Sequence, residues 1–140
     1  MDILTNAILS IKPQYAQAIL AGNKRVEFRK KVFKRPVDKV YIYSSSPIKR
    51  LIGYFTFTEI DEATPTDLWK KYEKIGAINK ADFFAYFKDC DTGFAINIEK
   101  VERFEKGINP INVIDKFCAP QSYRYVDENI ISQNSNALVL

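Results

Sequence analysis

The chain contains no histidine among its 140 residues, and it has only two cysteines, one methionine and one tryptophan. Without histidine, the usual Ser-His-Asp and Cys-His catalytic arrangements cannot be built, and no metal site can use an imidazole ligand. Cys90 and Cys118 alone cannot complete a zinc centre. We therefore expect no metal and no cofactor. Any catalysis has to use Lys, Asp, Glu, Tyr, Ser or Thr side chains or a bound water.

Long apolar runs are also missing. No uninterrupted run approaches the roughly 18 to 20 residues of a membrane span, and the N-terminal segment MDILTN has an acid where a signal peptide has basic residues. Two cysteines in a domain of this size indicate reduced thiols, so we expect a cytoplasmic protein with no membrane association. The hydrophobic content of 46% and aromatic content of 14% predict one packed domain over residues 1–140.

The net charge of +4 is unevenly distributed along the chain. Residues 24–50 contain ten Lys or Arg against Glu27 and Asp38, whereas residues 51–140 contain ten basic and fourteen acidic residues. A segment of this kind indicates an anionic partner. A solvated surface face explains the same charges equally well.

Residue periodicity predicts an α+β domain in which helices lie between two groups of short strands. Most of the strands are separated by turns, which favours a small, mostly antiparallel sheet that curls into a β-barrel with flanking helices. The predicted strands are 7–11, a strand around Val26 and Phe28, 37–44, 51–58, a long strand starting at Phe94, and 119–126. The predicted helices start at Pro13, at Thr64 or Thr66, and at Lys80, and a short one follows Asp127.

The strand around residue 27 has two different faces. Val26 and Phe28 alternate with charged residues, so they face the core. The opposite face carries Arg25, Glu27, Arg29 and Lys31. Trp69 and the group Phe83, Phe84 and Phe87 follow helical spacing and are assigned to the core.

The segment ILSIKPQYAQAILAGNKRVEFRKK, from Ile8, resembles the opening motif of the ASCH domain, a family of the PUA-like β-barrel superfamily. That motif is a strand, a helix, a Gly-x-Lys element and a strand ending in Arg, here Gly22, Lys24 and Arg29. Later segments resemble one branch of the same family. They are VYIYSSSPIKRLIGYF, TPTDLWKKY, FFAYF, GFAINIEKVERF and APQSYRYV.

The resemblance implies a barrel with a cleft beside the first helix and the turn that bears Lys24. It also implies binding of RNA or nucleotide-like ligands in that cleft. Some family members are ribonucleases, and a small bacterial subset resembles amidohydrolases that act on acylated cytidines. Those amidohydrolases use a Lys, a Thr three residues later and a more distant Glu. Lys24 matches that Lys, whereas Glu27 takes the position of the Thr.

Lys24 and Glu27 are the candidate catalytic residues. A desolvated Lys can act as a base or hold a phosphate. An acid inside a basic face is suited to orient Lys24 or Arg29, or to accept a hydrogen bond from a base edge. The alternative is a surface ion pair worth at most about 1 kcal/mol.

Candidate binding residues lie in four segments, and each set has a structural alternative. Lys12 follows the first strand, and hydroxyl groups with exposed N–H groups at 44–46 can hold a phosphate or simply form a turn. The segment QSYRY suits base stacking and edge recognition, or a closing strand with one buried face. The full set is Lys12, Lys24, Arg25, Arg29, Lys31, Ser44, Ser45, Ser46, Gln121, Ser122 and Arg124.

Three functions follow from these residues. The first is an RNA- or nucleotide-binding module with a basic cleft around the Gly-x-Lys turn and a role in regulating RNA metabolism or translation. The second is a small metal-independent hydrolase that uses Lys24, either an amidohydrolase on acylated nucleosides or a ribonuclease. The third is a protein-interaction domain, which would need an exposed apolar patch.

Overall fold

A computed structural model describes residues 5–127. The predicted order of elements is confirmed over this range, and the helix predicted after Asp127 lies outside it. The strands are β1 (Thr5–Ile11), β2 (Val26–Arg29), β3 (Val40–Ser44), β4 (Arg50–Ala63), β5 (Gly93–Ile108) and β6 (Tyr123–Asp127). The helices are α1 (Pro13–Leu20), α2 (Pro65–Tyr72) and α3 (Lys80–Tyr86), with a 3-10 turn at Pro110–Asn112.

Local sequence signals explain where the helices begin. Pro13 and Pro65 occupy first-turn positions, where a missing N–H costs nothing. The Thr64 hydroxyl accepts a hydrogen bond from the Asp67 N–H, so Thr64 rather than Thr66 caps α2. Asn79 caps α3 in the same way. The chain leaves α1 through Gly22, whose φ of +83° is in the left-handed region.

The six strands form one mixed sheet in the order β2-β5-β4-β3-β1-β6. β1 and β3 are parallel, and the other neighbouring pairs are antiparallel. The predicted α+β class is therefore confirmed, but the prediction of a closed barrel is wrong. Within residues 5–127 no backbone ladder joins the two edge strands, β2 and β6.

β6 pairs with β1 over Thr5 to Leu9, and its other edge has no ladder partner in the described range. The four-residue β2 has only β5 as a ladder partner in the described range. The Arg29 side chain, rather than backbone hydrogen bonds, reaches from β2 to the end of β1 at Ser10. This gap in the ladder is where the candidate site lies.

Helices α2 and α3 close one end of the sheet with an aromatic cluster. The Phe28 ring of β2 packs edge-on against Tyr72, Phe83 and Phe87. Phe83 and Phe87 are buried, whereas Trp69 and Phe84 are partly buried against them. The core assignment from helical spacing is thus confirmed. The aromatic cluster also fixes α3 beside β2, so α3 forms one wall of the site.

Candidate functional site

All four residues of β2 are buried, including the two charged ones. Glu27 is 5% exposed and Arg29 is 8% exposed. Their side chains form an ion pair with 3.1 Å between Arg29 Nη1 and Glu27 Oε2. The polar face of this strand is therefore not a solvated surface. It is covered by the segments that border the gap in the sheet.

Arg29 connects three parts of the chain. Its Nη1 donates to the Ser10 carbonyl at 3.2 Å, and its Nη2 donates to the carbonyl and the hydroxyl of Ser122 at 3.3 and 3.2 Å. Its Nε is buried without a hydrogen-bond partner among residues 5–127. A buried donor without a partner is costly unless a ligand or water completes it. Arg29 thus holds the site together and retains one donor.

Lys24 lies at the other side of the site and is 3% exposed. Its Nζ donates to the Gly76 carbonyl at 2.5 Å and lies 5.1 Å from the Tyr15 ring centroid and 5.2 Å from that of Phe28. Burial lowers the pKa of Lys24 below its ordinary value, and the negative charge of Glu27 partly opposes this shift. A lysine in this environment is easier to deprotonate than a surface lysine.

Lys24, Glu27 and Arg29 line a cleft with a cavity volume of about 800 Å³. Its walls come from the start of α1, from β2, from α3 and from the segment before β6. Three exposed lysines, Lys12, Lys30 and Lys31, also line it, and we call them the rim lysines. The basic segment of the sequence therefore supplies both a buried floor and a charged rim.

The structure brings most of the predicted site residues to this cleft. Besides Lys24, Glu27 and Arg29, the predicted residues that line it are Lys12, Lys31, Ser45, Gln121 and Ser122.

Four predicted binding residues do not line the cleft: Arg25, Ser44, Ser46 and Arg124. Ser44 is fully buried in β3. Alternation in β6 puts Arg124 opposite Tyr123 and Tyr125, and its guanidinium lies 5.8 Å from the Phe117 ring centroid.

The site residues predicted from the sequence included neither residues of α3 nor Tyr15. Asp82, Ala85 and Tyr86 line the cleft from α3, and the half-buried Tyr15 lines it from α1. The Tyr86 hydroxyl accepts a hydrogen bond from the Lys30 N–H at 3.2 Å, and burial raises its pKa. The spacing of Asp82 and Tyr86, one helical turn apart, was the signal that could have revealed this wall.

The described residues also bear on metal binding and on membrane crossing. In the range 5–127, no three His, Cys, Asp or Glu side chains come together as potential metal ligands. None of the helices in that range has the length and apolar character that a bilayer crossing requires.

Fold and site together define an α+β domain with an open mixed sheet and a basic cleft at its gap. The sequence profile of the ASCH domain matches residues 9–115, so the chain belongs to the ASCH domain family.

Similar proteins extend this assignment. A protein named ASCH domain-containing ribonuclease, from Zymomonas mobilis, is 28% identical over 108 residues, which cover 76% of this chain and 70% of that protein. Large ribosomal subunit protein uL22 of Ureaplasma parvum is 25% identical over 122 residues, covering 85% of this chain but 38% of that protein. The crystal structure of ASCH from Zymomonas mobilis superimposes with a TM-score of 0.88 at 22% identity, covering 96% of each chain. This last likeness concerns the fold.

Proposed function

We propose that the cleft binds single-stranded RNA, one nucleotide of which enters between β2 and α3. The observation that supports this best is the combination of buried Lys24 and Arg29 with the three rim lysines around one cavity. Cationic side chains around a groove attract a phosphate backbone. We further propose that residues 1–140 act as one domain, whose role is in RNA metabolism or translation.

The charges divide the cleft into two kinds of contact. Glu27 already accepts a hydrogen bond from Arg29, so its charge is largely compensated. The rim lysines are exposed, which suits contacts to successive phosphates along a flexible strand, and Lys30 Nζ lies 4.8 Å from the Tyr86 ring centroid. The Arg29 guanidinium is held by hydrogen bonds to Glu27, Ser10 and Ser122, so it supplies a fixed positive charge on the floor. Binding therefore combines an exposed charged rim with a fixed polar floor.

The test is a fluorescence-anisotropy titration of a short single-stranded RNA against the wild type, Lys24→Met and the control Lys100→Met. Lys100 is an exposed lysine of β5 that does not line the cleft. We expect salt-sensitive binding that weakens about tenfold or more in Lys24→Met, as for a charged group in a hydrogen-bonded site, and changes little in the control. Equal loss in both variants, or no binding by the wild type, would contradict the proposal.

A second candidate function is cleavage of the bound RNA, and the environment of Lys24 favours it. A neutral Lys24 can accept the proton of a ribose 2′-hydroxyl. The 2′-oxygen then attacks the adjacent phosphorus, the bond to the 5′-oxygen breaks, and water protonates the leaving oxygen. Glu27 positions Arg29, which stabilises the charge that builds up on the phosphate. The products are a 2′,3′-cyclic phosphate and a 5′-hydroxyl.

Cleavage is tested in the same titration tubes by mass spectrometry of the products. We expect a 2′,3′-cyclic phosphate end from RNA, and no product from DNA of the same sequence, because DNA lacks the 2′-hydroxyl. Loss of product in Lys24→Met would support the assigned role. Release of the acyl group from an acylated cytidine would instead indicate amidohydrolase activity, and RNA binding without any product would leave a binding module.

A further inference from the structure

A second, smaller cavity opens beside the cleft. It has a volume of about 250 Å³ and lies between the first turn of α1 and the segment that enters α3. We call it the side pocket. Four of its residues also line the cleft, so the two cavities are adjacent and share a wall. The side pocket is lined by Gln14, Tyr15, Ala77, Ile78, Asn79 and Asp82.

The chemistry of the side pocket differs from that of the cleft. It contains no lysine or arginine among the described residues. Tyr15, Ala77 and Ile78 supply one aromatic and two apolar surfaces, and Gln14 supplies an amide that both donates and accepts. One aromatic side chain beside amide and carboxylate groups suits a nucleobase, and no cationic side chain of the described range lines this pocket to attract a phosphate.

Asp82 is the most informative residue of this pocket. It and Glu27 are the two acids that line the cleft in the described range, and Glu27 is engaged by Arg29. Asp82 Oδ2 accepts a hydrogen bond from Asn79 Nδ2 at 2.9 Å, whereas Oδ1 has no hydrogen-bond partner among residues 5–127. A free carboxylate oxygen repels phosphate and accepts hydrogen bonds only. It therefore matches an N–H donor on the ligand.

We propose that the side pocket holds the base of the nucleotide whose phosphate lies in the cleft, and that Asp82 accepts a hydrogen bond from its exocyclic amine. This inference rests on the proposed RNA binding. Cytosine presents its N4 amine at the position where uracil presents the O4 oxygen, and a carboxylate attracts the first and repels the second. The pocket thus selects an amine-bearing base over uracil, and the half-buried Tyr15, whose ring also has Lys24 Nζ 5.1 Å from its centroid, borders that base.

The experiment compares five-residue oligocytidine and oligouridine RNAs in the anisotropy assay. We expect the wild type to bind oligocytidine about tenfold more tightly, since one good base contact discriminates by roughly that factor. In Asp82→Asn the side-chain amide can donate to O4, so the ratio of the two affinities falls towards one. The ratio is the readout because removal of an acid strengthens binding of both RNAs through charge alone.

Asp67→Asn is the matched control. Asp67 and Asp82 both occupy the third position after a capping residue, in α2 and α3 respectively, and Asp67 lies outside both cavities. Asp67→Asn changes the charge and the helix capping in the same way as Asp82→Asn, but the base preference should remain. Urea unfolding confirms that each variant is folded. If Asp82→Asn fails to fold, Asp82→Ala takes its place, because it also removes the carboxylate acceptor, and a fall in the ratio is again expected.

The possible outcomes separate the inference from the function that it rests on. Lys24-dependent RNA binding with equal affinity for the two RNAs, or with a preference unchanged in the pocket variant, overturns the side-pocket assignment only. No binding of either RNA overturns both. Cytidine and uridine monophosphates are added as competitors. If cytidine monophosphate displaces the RNA at a concentration similar to that at which oligocytidine binds, the recognised base belongs to a free nucleotide rather than to an RNA strand.

Discussion

Lys24 and the Glu27–Arg29 pair are charged residues that the chain buries. Lys24 was predicted as a site residue, but its burial was not, because a lysine at a turn is exposed in most proteins. Its cover comes from the rings of Tyr15 and Phe28 and from the Gly76 carbonyl, which lies 52 residues further along the chain. Non-local cover of this kind cannot be read from local periodicity.

The burial of Lys24 predicts a pH dependence of stability. Its pKa in the folded chain is lower than the ordinary value of 10.5. Between these two values the unfolded chain binds more protons, so the free energy of unfolding rises with pH across that window. We expect the wild type to gain stability relative to Lys24→Met as the pH rises towards 10.5, measured by urea unfolding. A constant difference over this range would contradict the buried environment.

The ion pair between Glu27 and Arg29 predicts a non-additive effect. Arg29→Met leaves the Glu27 carboxylate buried without a counter-charge, which costs about 3 kcal/mol of unfolding free energy. The double variant with Glu27→Gln removes this penalty, so it should be more stable than Arg29→Met alone. Urea unfolding of both single variants and the double variant measures the coupling. Additive losses would show that the two side chains do not interact.

At the scale of elements, strand and helix positions followed from the sequence better than strand lengths. β4 extends to Ala63, five residues beyond the predicted end at Thr58. Its partner β5 runs over sixteen residues, so pairing carries both strands past the apolar alternation. The prediction of a closed barrel was wrong. Closure requires β2 and β6 to pair, and the sequence of a strand does not indicate which strand pairs with each of its two edges.

β4 approaches β5 closely at Gly53, next to a register shift between Leu51 and Gly53. A Cβ atom on Gly53 would lie 2.3 Å from the Glu102 carbonyl oxygen, which is a backbone atom and cannot move independently. We expect Gly53→Ala to lower the free energy of unfolding by about 2 kcal/mol. Gly107→Ala is the control, because its nearest neighbours are side-chain atoms of Arg50 at 3.1 Å and beyond. Equal effects would argue against the close approach of β4 and β5.

For the whole molecule, the uneven charge distribution indicated an anionic partner, and the resemblance to the ASCH domain implied a cleft beside Lys24, but neither indicated the depth of that cleft. Residues 24–31 form both the floor and part of the rim, which follows from the Gly-x-Lys turn and the strand after it. The contributions of α3 and of Gln14 were missed. The spacing of Asp82 and Tyr86 marks a polar face on α3, but it does not indicate which side of the sheet that helix covers. A protein-interaction function would need an exposed apolar patch. The exposed large hydrophobic residues in the described range are Ile48 and Ile111.

The rim lysines predict how RNA binding depends on salt. Each lysine that contacts a phosphate of a single strand contributes about 0.7 to the slope of log K against log salt. We expect Lys30→Gln combined with Lys31→Gln to reduce this slope by about 1.4. The charge-matched control combines Lys100→Gln with Lys106→Gln on β5, away from the cleft. A similar decrease in both double variants would mean that general charge, rather than the rim, attracts the RNA.

The central claim is that RNA binds in the cleft at the gap of the sheet. The most direct test is a titration of isotope-labelled protein with oligocytidine RNA, followed by the chemical shifts of the backbone amides. We expect the largest shifts at residues 24–31, at Gln14 and Tyr15, in α3 and at Gln121 and Ser122. Large shifts concentrated instead on the far half of β5, around Glu102 to Lys106, would contradict the claim, as would the absence of any shift at saturating RNA.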